Sequence, residues 1–311
     1  MKEFRLHEGQ LPESIKEDFQ LSLFNRSNHL RSQNNSALHS FYFLSNDKAV
    51  AVIHFNIDNG IAVSLPRVPF GSVEFSKNLS PEGLSDFLDR VEQRLAAMKI
   101  KKIIIKNAPL IYVSQKRSLL EVLLLNRKYV ATNATLTASI GVDPFDFRTK
   151  IRKNELRRLK KCEREQFLFK EIGIEELETV YDFISNSRKE RNQSLSMTLH
   201  ELKQTVGFCP GDFFLFGVFS NNSIAAASVS VVVNKNVLYN FYPARARAFD
   251  TFSPMVMLIE GMYRWCQSKD IKQLDLGTSS VENKLNFSLL NFKLNVGGSV
   301  SEKLTFEKQL L

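Results

Sequence analysis

The chain has 311 residues, of which 43% are hydrophobic and 24% charged, with a formal net charge of +9. This is the balance of a soluble globular protein with room for two domains or one large one. The positive excess favours an anionic partner, namely nucleic acid, a phosphorylated metabolite or an anionic membrane surface, with a solvated basic surface as the alternative.

Residue inventory narrows the classes further. Cys162, Cys209 and Cys266 are odd in number, far apart and form no C-x-x-C pair, which excludes a disulfide framework and a zinc site and fits a reduced, cytoplasmic setting. The five histidines show no metal-ligand spacing, so no metal is expected. The N-terminal stretch MKEFRLHEGQLPESIKED is charged throughout and lacks the apolar core of a signal peptide.

In chain order, a region of weak helical patterning comes first. HSFYFL and KAVAVIHFNI then flank Ser45-Asn46-Asp47 as antiparallel strands, and Asp58-Asn59-Gly60 turns into the strand IAVSLP. Ser80-Pro81, a cap residue followed by proline at the first helical position, opens a helix to about Met98, with Leu84, Phe87, Leu88, Val91 and Leu95 on one side. The strand KKIIIK, a helix around Leu119 to Leu125, and the strand YVATNATLTASI follow.

The second half repeats this order. The stretch from Phe213 to Asn234 carries no charge and has the length of a membrane span. Ser220-Asn221-Asn222-Ser223 divides it into two runs rich in β-branched and aromatic residues, which makes it a hairpin. VLYNFY continues the sheet, Ser253-Pro254 opens a helix to about Gln267, and IKQLDLG is the next strand. Asn283 to about Leu290 reads as a helix, and SVSEKLTFEK as the closing strand. The α/β fold class, a mixed and mainly antiparallel sheet flanked by helices written twice, follows from this repetition of pattern.

Between the halves, FRTKIRKNELRRLKKCEREQ reads as a helix. At about 100° per residue, Ile151, Leu156, Leu159 and Cys162 gather on one side, and Lys150, Lys153, Arg157, Lys160, Lys161 and Arg164 on the other. A stripe of six cations is suited to nucleic-acid or other anion binding, and equally to a solvated helix face.

The order of strand, Ser-Pro helix, LDLG at 274–277 and FKLNVGG at 292–298 resembles the Fem family of peptidyltransferases and its acyltransferase relatives. LPRVPFG at 65–71 is similar to that family's Pro-x-x-Pro-aromatic-Gly turn, and KIRKNELRRLKKCE to its basic linking helix. The resemblance implies two tandem GNAT-like domains, over 1–145 and 169–311, joined by a basic helix over 146–168. It implies amide formation, in which an amine on a peptide, glycan or lipid precursor of the cell envelope attacks an activated carbonyl. The donor would be an aminoacyl-tRNA or an acyl-CoA, with no tightly bound cofactor, no transmembrane segment and at most peripheral contact with an anionic membrane surface. The family's lysine in Phe-Lys-x-x-Phe-Gly corresponds to Lys293, and its aromatic residue is replaced here by Val296.

Lys293 stands in an apolar, glycine-flanked run, where desolvating an ammonium is costly unless it is paired. Fixed positive charge in a dry pocket stabilises a tetrahedral oxyanion, so Lys293 is the candidate catalytic cation. A stem packed on the sheet with its head in water, or an ion pair with Asp275, is the structural alternative. Asp275 is the second catalytic candidate, although the same carboxylate can cap a helix or order a loop, and the general base stays unassigned. Candidate substrate-binding residues are Arg67 in the proline turn, Tyr239 and Tyr242, and Arg245, Arg247 and Ser253 before the second Ser-Pro helix. No glycine lies between Gly217 and Gly261, so the backbone cradle that holds the pyrophosphate of coenzyme A in related folds is missing. This favours an aminoacyltransferase over a coenzyme A-dependent N-acetyltransferase. A non-catalytic anion- or RNA-binding module is the reading from another class.

Overall fold

A computed structural model describes residues 3–33, 37–112, 114–281 and 284–310. The chain divides into two compact units, Met1–Thr135 with Ser301–Leu311, and Leu136–Val300. The elements run β1 (Phe4–Glu8), β2 (Lys16–Glu17), α1 (Ser27–Ser32), β3 (Leu38–Ser45), β4 (Lys48–Asp58), β5 (Ile61–Val63), β6 (Glu74–Phe75), α2 (Pro81–Ala97), β7 (Lys102–Lys106), α3 (Ser114–Asn126) and β8 (Val130–Gly141). They continue with α4 (Lys153–Arg164), β9 (Leu168–Ile172), α5 (Leu177–Lys189), α6 (Leu199–Phe208), β10 (Phe213–Ser220), β11 (Ser223–Asn234), β12 (Val237–Arg245) and α7 (Pro254–Ser268). Last come β13 (Gln273–Thr278), β14 (Ser280–Val281), β15 (Lys284–Leu285), α8 (Phe287–Asn295) and β16 (Ser299–Gln309).

The N-terminal unit is built on strands in the order β1-β3-β4-β5-β7-β16. Neighbours are antiparallel except β5 and β7, which pair in parallel from Ile61/Lys102 to Val63/Ile104. Leu84, Phe87, Leu88, Val91 and Leu95 of α2 close its core together with Phe41, Phe43 and Phe55. Ser80 caps α2 by accepting from Gly83 N at 3.1 Å. The N-terminal region expected to lean helical instead begins with strand β1 against β3.

The C-terminal unit uses the order β8-β13-β12-β11-β10-β9, with α7 across the sheet and almost wholly buried. Here β12 and β13 are the parallel pair, from Val237/Gln273 to Tyr239/Asp275. Phe213 to Asn234 forms the antiparallel hairpin β10–β11, and among the described residues no helix is long and apolar enough to cross a membrane.

Several expectations are corrected. SVSEKLTFEK, expected to close the second half, belongs from Ser301 onward to the N-terminal unit, where Thr305 to Gln309 pair antiparallel with β7. Strand propensity is local and names no partner. Ser253 does not cap α7 with its side chain; it adopts a left-handed conformation, φ +56°, that redirects the chain into Pro254. Lys293 lies inside the last turn of α8 rather than after it, and the expected helix start at Asn283 lies outside the described residues. Glu155 is buried on the inner edge of α4 beside Leu159 and Cys162, where an apolar edge was expected.

Candidate active site

The C-terminal unit holds a cavity of about 860 Å³, within the size of small-molecule and cofactor sites. Its origin is the parting of two strands. β12 and β13 stay in register only to Tyr239/Asp275; beyond that point β12 continues against β11 and β13 against β8. On β13 the register with β8 shifts between Asp275↔Ser139 and Thr278↔Thr137, a bulge made at Gly277 with φ +79°. A side chain at Gly277 would be strained by that φ and would press its Cβ to 3.2 Å from the Tyr239 ring.

The bulge takes the Gly277 and Thr278 carbonyls to an unusual donor. Lys293 Nζ donates to Gly277 O at 2.8 Å and to Thr278 O at 2.6 Å. The lysine is 6% exposed and lines the cavity. Burial lowers its pKa to about 8, opposed by the nearby Asp275 charge. An ammonium has three N–H donors, so two are engaged by the strand and one remains. The residue reaches this place because Asn286 caps α8 by accepting from Leu289 N, and Leu290 and Lys293 share its inner face.

Asp275 is 2% exposed and accepts from Gly277 N at 2.7 Å, which fixes the bulge. It acts on the cavity through its charge and is not one of the lining residues. Tyr239 lines the cavity, and burial, with the Asp275 and Tyr242 charges, pushes its phenol pKa up. Tyr242 lies behind the wall, its hydroxyl 2.5 Å from Ser196 Oγ. Arg245 and Ser253 line the cavity, and Arg245 Nε donates to Asp250 at 2.6 Å. Arg247 is turned to Glu190 and donates to its carbonyl oxygen.

Arg67 belongs to the N-terminal unit. There the matching parallel pair, β5 and β7, is filled after Val63 by the proline turn. Ser64 N donates to Ile104 O, Gly71 N to Lys106 O, and Lys106 Nζ to the carbonyls of Pro66 and Val68 at 2.9 and 2.6 Å. Arg67 is exposed on this turn and lines a small apolar pocket with Phe24, Leu30 and Val68.

Of the cationic stripe, Lys153, Arg157, Lys160 and Arg164 are exposed on α4. Lys161 donates to Thr251 O at 3.2 Å with its ammonium 4.5 Å from the Phe252 ring centre. Lys150 precedes α4 and pairs with Asp143 at 2.5 Å. The inner edge of the same helix supplies Glu155 and Arg158 to the cavity, joined by hydrogen bonds of 2.8 and 2.9 Å.

Three lining arginines escaped the sequence reading: Arg158, Arg188 and Arg191. Arg191 donates to both oxygens of Ser187. The missed signal was the spacing of Leu177, Val180 and Ile184 in α5, all buried, which carries Arg188 onto the same side four residues after Ile184.

The family described as the acetyltransferase (GNAT) domain matches residues 146–285, which hold most of this cavity. No curated protein sequence matches the chain. Among solved structures, FemX is 13% identical over 93% of this chain and 92% of its own, with a TM-score of 0.70. L-PGS from Bacillus licheniformis is 14% identical over 89% and 85%, with a TM-score of 0.58. A tandem GNAT protein from the clavulanic acid biosynthesis pathway is 8% identical over 91% and 87%, with a TM-score of 0.53. In fold, the chain is similar to FemX and to that tandem GNAT protein over most of its length, and its match to the GNAT family lies within residues 146–285.

Proposed function

We propose that the chain transfers an acyl or aminoacyl group from an anionic carrier to an amine of a cell-envelope precursor, in the cavity of its C-terminal unit. The observation that carries this reading is the parting of β12 and β13 beside a buried ammonium. An extended acyl group fits between strands that have stopped pairing, because each strand then has backbone groups to offer it.

The step balances simply. The amine lone pair attacks the carbonyl carbon of an ester or thioester, and the carbonyl π electrons move to oxygen. Collapse of the tetrahedral intermediate expels the carrier oxygen or sulfur, which takes up a proton as the amine nitrogen gives one up. The remaining N–H of Lys293 is the donor for the intermediate's oxyanion, and one such donor contributes roughly 3 kcal/mol. Asp275 holds the bulge that aims it. An amine that binds neutral needs no strong base, and none is assigned.

An aminoacyl-tRNA suits the exposed cations of α4, since the same helix reaches the cavity with Arg158. A coenzyme A thioester is the second reading, favoured by Ser253 and Met255 at the start of α7, where a helix N-terminus can face a pyrophosphate. The test is product analysis by mass spectrometry after incubation with charged tRNA or acyl-CoA and a panel of amine-bearing envelope precursors. Amide formation with charged tRNA is expected. Free thiol release with acyl-CoA would select the second reading, and absence of amide from either donor would overturn both.

A further inference from the structure

We infer that the cavity contains an anion subsite centred on Arg188, which takes a carboxylate or phosphate carried by the amine acceptor. This rests on the acyltransfer reading above and adds the chemical class of the acceptor to it.

Arg188 sits in the last turn of α5, partly buried, and lines the cavity. Among the described residues its guanidinium has no carboxylate partner, and its Nε is buried with no acceptor. Its surroundings are the phenols of Tyr239 and Tyr242, and burial lowers its pKa. A desolvated cation without a counter-charge is costly in a stable fold. Its neighbours have carboxylates in reach: Arg158 is held by Glu155, Arg245 by Asp250 at 2.6 Å, and Arg191, whose Nη2 also lacks a hydrogen-bond acceptor, stands 3.7 Å from Asp250. Four arginines against two carboxylates leave the lining with an excess of positive charge, and Arg188 is the member whose charge is unanswered. A planar guanidinium with free N–H groups matches a carboxylate or phosphate through two parallel hydrogen bonds.

The position assigns the anion to the acceptor rather than to the donor. Arg188 lines the same cavity as Tyr239, which pairs in register with Asp275 at the point where the strands part. A carrier pyrophosphate belongs instead at the start of α7, which is built from a different segment.

The test is isothermal titration of the full chain, without any donor, using O-phosphoethanolamine, glycylglycine, ethanolamine and coenzyme A. At least one of the two anionic amines should bind more tightly than ethanolamine, and Arg188→Gln should weaken that binding by about tenfold or more. Arg188→Lys should recover part of the loss, and any affinity for coenzyme A should stay unchanged. The ligand-free Arg188→Gln protein should melt at a higher temperature than the parent, because an unanswered buried charge has been removed. The proposal is overturned if neither anionic amine outbinds ethanolamine. It is equally overturned if Arg188→Gln weakens coenzyme A instead, or if the ligand-free variant melts earlier, which would make Arg188 a structural residue. Because no donor is present, absence of acyl transfer leaves these readouts standing.

Discussion

Replacing Lys293 by methionine separates the lysine's electrostatic role from its packing role. In the folded chain its pKa is lowered from 10.5 to about 8 by burial. The unfolded chain therefore holds the proton over a range of pH in which the folded chain has released it, and stability rises with pH between about 8 and 10.5. The full effect is about 3 kcal/mol, at roughly 1.4 kcal/mol for each tenfold loss of proton affinity, and about 2 kcal/mol of it is realised between pH 7 and 9.5. Lys293→Met lacks this rise. At pH 7 the variant removes a desolvated charge but leaves the Gly277 and Thr278 carbonyls without their donor, at about 1–3 kcal/mol each. The opposed effects leave it folded. Urea unfolding of both proteins at pH 7 and 9.5 should show the parent gaining about 2 kcal/mol over the variant, while amide transfer by the variant falls by two to three orders of magnitude or so. A stability gap that does not move with pH would refute the claim that the ammonium is desolvated, and full transfer by the variant would refute its role in the reaction.

Two further predictions concern the frames of the units. His54 is fully buried with Nδ1 2.8 Å from Ser40 Oγ, and burial holds its pKa at about 4, below the unfolded value of 6.5. Its contribution is thus present above pH 6.5 and lost as pH falls toward 4; urea unfolding at pH 7.5 and 4.5 should show the parent losing about 2–3 kcal/mol more than His54→Gln. In α7, a Cβ at Gly261 would lie 2.2 Å from the Phe169 ring. Gly261→Ala should destabilise by about 1–3 kcal/mol, and most of that loss should disappear when measured in a Phe169→Ala background; additive losses in a double-mutant cycle would sink the contact.

Much of the frame could be read from short-range chemistry. Asn46, Asp47, Asn59 and Asn221 all adopt positive φ in the turns their residue types announce. The proline and serine at 80–81 opened a capped helix as read. What stayed hidden depends on contacts distant in sequence. Nothing in SVSEKLTFEK says that its partner is Lys102–Lys106. The Ser-Pro pair at 253–254 has the letters of a cap but meets a chain that must turn sharply, so the backbone takes the left-handed form instead. In the site, Lys293 was singled out by its apolar, glycine-flanked surroundings, yet its use to gather two carbonyls required the bulge at Gly277 to be seen. Helix α6 was announced by Thr198 and Glu201, which form a full capping box, and its spacing was overlooked beside the stronger hairpin that follows.

The membership of β16 bears on how the polypeptide matures during synthesis. Leu136–Val300 is one uninterrupted stretch of chain, so the unit it forms does not wait for a later segment. The N-terminal unit has no such independence, because β7 waits with an open edge of Ile103, Ile104 and Ile105 until Thr305–Gln309 emerges. Of the two units, the one whose synthesis starts first is therefore the last to be completed. During that interval its unpaired edge is the place where a chaperone, or a neighbouring nascent chain, would take hold.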